Sequence, residues 1–194
     1  SDISGDEIDH EMILPRKSLN LLKSTLPSDK SSDVKLEFNA SNAFFSFDNV
    51  KMVCRLIDER YPDYENVIPL DNSNNIVIDK SEVLSSLKRI SIYANKTTNQ
   101  VRFKISGGEI LISAEDLDFS NEANERISCE HDGADIEIGF NAKFLIEILS
   151  NLNSTRVTFK LSKPNKAGLI IPDEMDDHED ITMLVMPVML NDYD

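Results

Sequence analysis

Three times along the chain a short apolar run leads into apolar positions spaced three and four apart, and then into strict apolar–polar alternation. The short runs are Ile13-Leu14-Pro15, Ile76-Val77-Ile78 and Ile136-Glu137-Ile138-Gly139-Phe140. The wider spacing predicts helices over residues 16–26, 80–93 and 142–152, since positions i, i+3 and i+4 share a face at 3.6 residues per turn. Their stripes are Leu19, Leu22 and Leu26; Val83, Leu84, Leu87 and Ile90; and Phe144, Leu145, Ile148, Leu149 and Leu152. Each predicts one buried face. Asp79, with Glu82 three residues on, and Asn141 are the expected N-caps.

The alternating copies are Val34-Lys35-Leu36-Glu37-Phe38, Val101-Arg102-Phe103-Lys104-Ile105 and Val157-Thr158-Phe159-Lys160-Leu161. Period two makes them strands with one wet face. Turn residues follow each, then second strands over 43–47, 109–114 and 169–171, and third strands over 50–57, about 121–129 and 181–187. Val50, Met52, Cys54 and Leu56 share one face of the first of these closing strands. The chain reads as three βαβββ units with helices on one side of antiparallel sheets, an α+β fold. Between the first unit and the second, Tyr61-Pro62-Asp63-Tyr64 breaks the pattern, because Pro62 has no backbone donor and holds Tyr61 extended. That break predicts two domains, residues 1–62 and 63–194.

With 194 residues and 40% hydrophobic content, one large core or two small ones are expected. No stretch reaches the roughly 18 apolar residues that span a bilayer, and the polar, acidic first eleven residues are unlike a signal peptide. Two cysteines, Cys54 and Cys129, lie in strand-like runs and read as reduced core thiols of a cytoplasmic protein. The net charge of −15 argues against polyanion partners until its distribution is considered. The helical segments 16–26, 80–96 and 142–152 carry eight bases and two acids, and the rest of the chain twelve and thirty-three. Lys17, Arg89 and Lys143 fall opposite the apolar stripes, while Arg16, Lys23 and Lys88 flank them. Solvated helix faces explain lysines singly. They do not explain segregation, which suits a weakly positive layer facing a polyanion.

The run from Arg55 to Pro69, together with Ile13-Leu14-Pro15-Arg16-Lys17, Ile136-Glu137-Ile138-Gly139-Phe140-Asn141 and Leu184-Val185-Met186-Pro187-Val188-Met189-Leu190, resembles the bacterial replicative sliding clamp family, the beta subunit of DNA polymerase III. The resemblance runs from Met12 to Leu190. It implies a DNA-clamp fold in which paired βαβββ units form domains, and two subunits close head to tail around duplex DNA with helices lining the hole. Residues 1–62 would then be the second half of domain two and 63–194 domain three. Such a chain, starting at Ser1, is expected to be a trimmed product that closes no ring alone.

The resemblance also implies site residues. The tail and hinge would form a pocket for motifs of a Gln-Leu-x-Leu-Phe type, carried by the polymerase alpha subunit, the clamp loader and repair proteins. Its residues are Pro62, Asn66, Val67, Gly168, Leu184, Val185, Met186, Pro187, Val188, Met189 and Leu190. The residues read as basic helix faces, Arg16, Lys17, Lys23, Lys88, Arg89 and Lys143, would face DNA. Ile92 and Tyr93 match the subunit contact of the homodimer, although a helix end showing these residues equally suits closure of its own core. Asn66 and Met189 stand where many relatives have arginine, and Asn191-Asp192-Tyr193-Asp194 extends past the usual final leucine. The upstream pocket wall would precede Ser1. Read on their own, Met183 to Met186 suit a buried last strand, and Val188 to Leu190 a segment lying against the body after Pro187 ends the pairing.

No cofactor and no enzymatic site is expected. His10, His131 and His178 are isolated, no phosphate-binding loop or nucleophile elbow occurs, and Gly107-Gly108 reads as a hairpin turn. Six carboxylates within residues 173–180 lack the ordered spacing of a calcium loop. Two other readings stay open: a peptide-binding module that never encircles DNA, and a metal-dependent hydrolase built on those carboxylates.

Overall fold

The computed structural model describes residues 11–27 and 33–190, and the chain divides into two compact units at Asp63 and Tyr64. In unit 1, helix α1 (Arg16–Thr25) precedes an antiparallel meander of β1 (Lys35–Phe38), β2 (Asn42–Phe47) and β3 (Val50–Arg55). The helix starts where the Pro15 carbonyl accepts from the Ser18 and Leu19 N–H groups. It stops at Leu26, held extended ahead of Pro27. Asn39 Oδ1 closes the first hairpin by accepting from the Ser41 and Asn42 N–H groups. Asp48 turns the second at φ 45°, a left-handed conformation that Asp tolerates. Ala43, Phe45 and Cys54 are buried, with Leu14, Leu22, Phe38, Met52 and Leu56 packed on them.

Two expectations fail in this unit. Ile13-Leu14-Pro15 is not a strand, although Ile57 N–H donates to Ile13 O at 3.0 Å. No residue of α1 is fully buried, and Leu19 of the expected stripe is exposed. Of that stripe Leu22 packs on the sheet, beside Leu14 from the segment before the helix.

Unit 2 runs β4 (Asn74–Asp79), α2 (Lys80–Ile90), β5 (Gln100–Ser106), β6 (Glu109–Asp116), β7 (Asn121–Ser128), β8 (Glu130–Asp132), β9 (Ile136–Asn141), α3 (Ala142–Asn151), β10 (Arg156–Leu161), β11 (Gly168–Pro172) and β12 (Met183–Val185). The expected caps form: Asp79 Oδ1 accepts from Glu82 N–H at 2.9 Å, and Asn141 Oδ1 from Lys143 N–H at 3.0 Å. The Ser81 hydroxyl and the Glu82 N–H hold the Asp79 carboxyl below the usual carboxylate range.

The repeats are not self-contained. The sheets are ordered β12-β11-β10-β4-β8 and β7-β6-β5-β9, so each repeat gives its first strand to the other's sheet. Ile76 lies opposite Phe159, and Ile138 opposite Phe103. Both sheets and both helices share one core, in which Phe103 meets Phe140 edge-on at 5.6 Å and Phe159 at 6.2 Å. The short strand β8 is an addition to the sequence reading, and the last strand is shorter than expected, Met183–Val185 rather than 181–187. Helix α2 also stops three residues early, which leaves Ile92 and Tyr93 in the following turn.

Candidate functional site

The tail is placed by two glycines. β12 pairs antiparallel with β11, setting Val185 opposite Gly168 and Leu184 opposite Leu169. A Cβ on Gly168 would lie 2.7 Å from Leu161 Cδ2, so the hairpin packs this closely only without a side chain there. Beyond Pro187 the chain crosses β9: Val188 N–H donates to Gly139 O at 2.9 Å. A Cβ on Gly139 would stand 2.7 Å from both Val188 O and Leu190 Cδ2. Val185 is buried, Leu184, Pro187, Val188 and Leu190 are half-buried, and Met186 and Met189 stand in solvent, Met189 at 73% exposure. The result is an apolar ribbon laid on the sheet with two flexible thioethers outward, a surface able to remould around apolar side chains. Gly139 was not among the expected site residues. An isolated glycine inside an apolar strand is the signal that would have found it.

Of the hinge residues, Asn66 and Val67 sit exposed on a single 3-10 turn, Glu65–Val67, in the same unit as the tail. Pro62 is exposed and belongs to unit 1. A residue that sequence reasoning missed, Asn72, ties the segment after this turn to the β10–β11 hairpin. Its Nδ2 donates to Lys160 O at 2.9 Å and to Ala167 O at 3.0 Å, next to Gly168. Lys166 adds an ion pair to Asp71 at 2.8 Å, which lowers the Asp71 pKa. The extension at residues 191–194 and His10 lie outside the described residues.

The six helix bases are all exposed. Arg89 is held by Glu125 of β7 in a bidentate pair, with Nε and one terminal nitrogen each at 2.7 Å. The guanidinium lowers the Glu125 pKa, and the carboxylate raises that of Arg89. Two other helix-segment bases bond backbone carbonyls, Lys80 Nζ to Leu152 O at 2.8 Å in a half-buried contact and Lys96 Nζ to Ile92 O at 2.7 Å on the surface. Ile92 and Tyr93 do not close their own core: they are 65% and 43% exposed.

The acidic run is tied locally. Asp173 accepts from the Thr158 hydroxyl at 2.7 Å and Glu174 from the Thr155 N–H at 3.0 Å. Among the described residues no group of three or more His, Cys, Asp or Glu could hold a metal ion, and no helix is long and apolar enough to cross a membrane. Cys54 is buried and Cys129 half-buried, both as free thiols, and burial pushes the Cys129 pKa up.

Comparison with known proteins matches residues 65–189 to the DNA polymerase III beta subunit, C-terminal domain, and residues 2–63 to its central domain. The chain belongs to the DNA polymerase III beta subunit family. It is 28% identical over 181 residues to the beta sliding clamp of Pseudomonas aeruginosa, covering 93% of this chain and 48% of that protein. Against the beta sliding clamp of Borreliella burgdorferi the identity is 26% over 190 residues, covering 95% and 47%. Among solved structures, a DNA polymerase sliding clamp from Pseudomonas aeruginosa with ligand superposes at TM-score 0.85 and 28% identity, over 93% of this chain and 48% of that one. The sliding clamp of Bartonella birtlesii superposes at TM-score 0.83 and 26% identity, over 96% and 53%. The chain thus spans about half the length of the relatives it matches. Its α+β architecture is the sliding-clamp fold.

Proposed function

We propose that this chain contributes three βαβββ units to a DNA sliding clamp, a processivity factor that tethers the replicative polymerase to duplex DNA. In this reading residues 1–62 are the second half of domain two and residues 63–194 are domain three. The observation that carries the proposal is the superposition of 93% of the chain on a solved DNA polymerase sliding clamp. The chemistry fits. Arg16, Lys17, Lys23, Lys88 and Lys143 put positive charge on helices of a strongly acidic chain, and Arg89 adds to them less, because Glu125 offsets its charge. A ring held on DNA by topology needs few contacts to phosphate, and water-mediated, sequence-blind contacts let it slide. No cofactor and no catalysis enter this role, which belongs to the cytoplasm.

The partner site of the proposal is the tail ribbon with the hinge. Leu184, Val185, Met186, Pro187, Val188, Met189 and Leu190, with Gly168, Asn66 and Val67, receive apolar short linear motifs of the polymerase alpha subunit, the clamp loader and repair proteins. Asn72 positions the hinge end of this surface against the hairpin that carries Gly168. In the ring-forming protein that carries this chain, Met186→Ala is expected to weaken a motif peptide about tenfold, as loss of one buried anchor does. Unchanged affinity in a calorimetric titration would remove the tail from the site. Encirclement is tested by release from DNA when a circle is cut.

A further inference from the structure

The chain carries six methionines, and exposure sorts them. Met12, Met52 and Met183 are half-buried, while Met175 is 43%, Met186 54% and Met189 73% exposed. Met175 lies in the acidic run ahead of β12, and its sulfur accepts from the Ile181 N–H at 3.3 Å. The other two are the outward pair of the tail ribbon.

The backbone fixes that outward position. On one side of Met186, Val185 is buried opposite Gly168; on the other, Val188 N–H is held by Gly139 O, and Leu190 packs over Gly139. A ribbon pinned by Val185, Val188 and Leu190 keeps both thioethers on its open face. An exposed thioether is a ready target for peroxide. Neither cysteine competes for the oxidant. Cys54 is buried, and burial pushes the Cys129 thiol up, away from the thiolate that peroxide attacks.

We propose that Met186 and Met189 are a reversible oxidation site, at which hydrogen peroxide converts both thioethers to sulfoxides and thereby releases apolar motif partners. The inference rests on the reading of the tail as the partner site. In the step, the O–O bond of peroxide breaks, one oxygen bonds to a sulfur lone pair, and the other leaves as water. Sulfur loses two electrons and peroxide gains them. The new sulfoxide oxygen is a strong acceptor. A motif side chain laid over it leaves it unpaired, and swinging it out to water removes the flexible apolar contact, so either route weakens the complex. A methionine sulfoxide reductase reverses the step, removing the oxygen as water with two electrons from a pair of thiols. The helices that carry the bases, α1, α2 and α3, contain no methionine, so oxidation acts on partner binding and leaves the basic faces alone.

The test treats the protein of the ring proposed above with hydrogen peroxide at a concentration that oxidises free methionine. Sulfoxides are located by peptide mass spectrometry, and a fluorescent Gln-Leu-Ser-Leu-Phe peptide is titrated before and after. Sulfoxide is expected at Met186 and Met189 ahead of Met12, Met52 and Met183. Peptide affinity should fall about tenfold or more, as burial of an unpaired acceptor requires, and should return with reductase and dithiothreitol. A variant with Met186→Leu and Met189→Leu keeps apolar side chains and retains Met175; whatever its starting affinity, peroxide should leave that affinity unchanged. Complete oxidation of both sulfurs with unchanged peptide affinity would overturn the proposal. Sulfurs that resist peroxide would do the same, as would an equal loss of affinity in the leucine variant. A peptide that fails to bind the untreated protein is a separate failure, which removes the partner-site reading and this proposal with it.

Discussion

At the scale of single residues, the tail depends on what Gly139 lacks. In Gly139→Ala the new methyl would press on Val188 O and Leu190 Cδ2, so either β9 or the tail must shift by several tenths of an ångström. The expected result is loss of the Val188 N–H to Gly139 O bond, read as faster hydrogen exchange at Val188, with a stability cost of about 1–3 kcal/mol. Unchanged protection of that amide would mean the tail is held elsewhere. This contact was only half legible in the sequence. The apolar run of residues 184–190 announces a segment that leaves water, and Pro187 announces the end of pairing. Neither says which strand receives it, because local patterning records a residue's exposure and not its neighbour. Asn72 was hidden for the same reason: an asparagine after a turn reads as loop chemistry until the two carbonyls it bonds, Lys160 and Ala167, are brought to it by the fold.

At the scale of elements, the caps and the alternations were readable because they are local. Asp79 and Glu82 sit three apart, as a side-chain oxygen bonding the third N–H of a helix requires, and that bond forms. Asp79→Ala should cost about 1 kcal/mol in urea unfolding. The pH dependence has a definite sign. The Asp79 pKa is lower folded than unfolded, so the cap's contribution is full above the ordinary carboxylate range and is lost as pH falls below about 4. The difference between wild type and Asp79→Ala should therefore shrink on acidification; a constant difference would mean the charge has no part in the cap. The exchange of β4 and β9 between repeats was not readable, since a strand's alternation is satisfied by either sheet. Nor was the open side of α1: Leu19, Leu22 and Leu26 make a stripe whether or not anything covers it. Helix α2 ends at Ile90 instead of Tyr93 for a visible reason, as Ile92 N–H returns to Arg89 O and Tyr93 N–H to Ile90 O in a tightening turn. That early end leaves Ile92 and Tyr93 exposed in the turn that follows.

At the scale of the whole molecule, the charge pattern and that exposed apolar pair support a ring with bases on its helices and a contact at the end of α2. For the ring proposed above, Ile92→Ala with Tyr93→Ala is expected to convert the dimer to monomer by light scattering, since exposed Ile and Tyr at an interface centre carry a disproportionate share of its stability. An unchanged dimer mass would move the contact elsewhere. The central claim concerns DNA. The most direct measurement loads that same protein with its clamp loader onto nicked circular DNA and then cuts the circle once. Retention on the intact circle with release on linearisation is the predicted result, because a ring held by topology slides off an end. Equal retention on both forms would contradict it, leaving ordinary phosphate binding, which salt alone would dissolve.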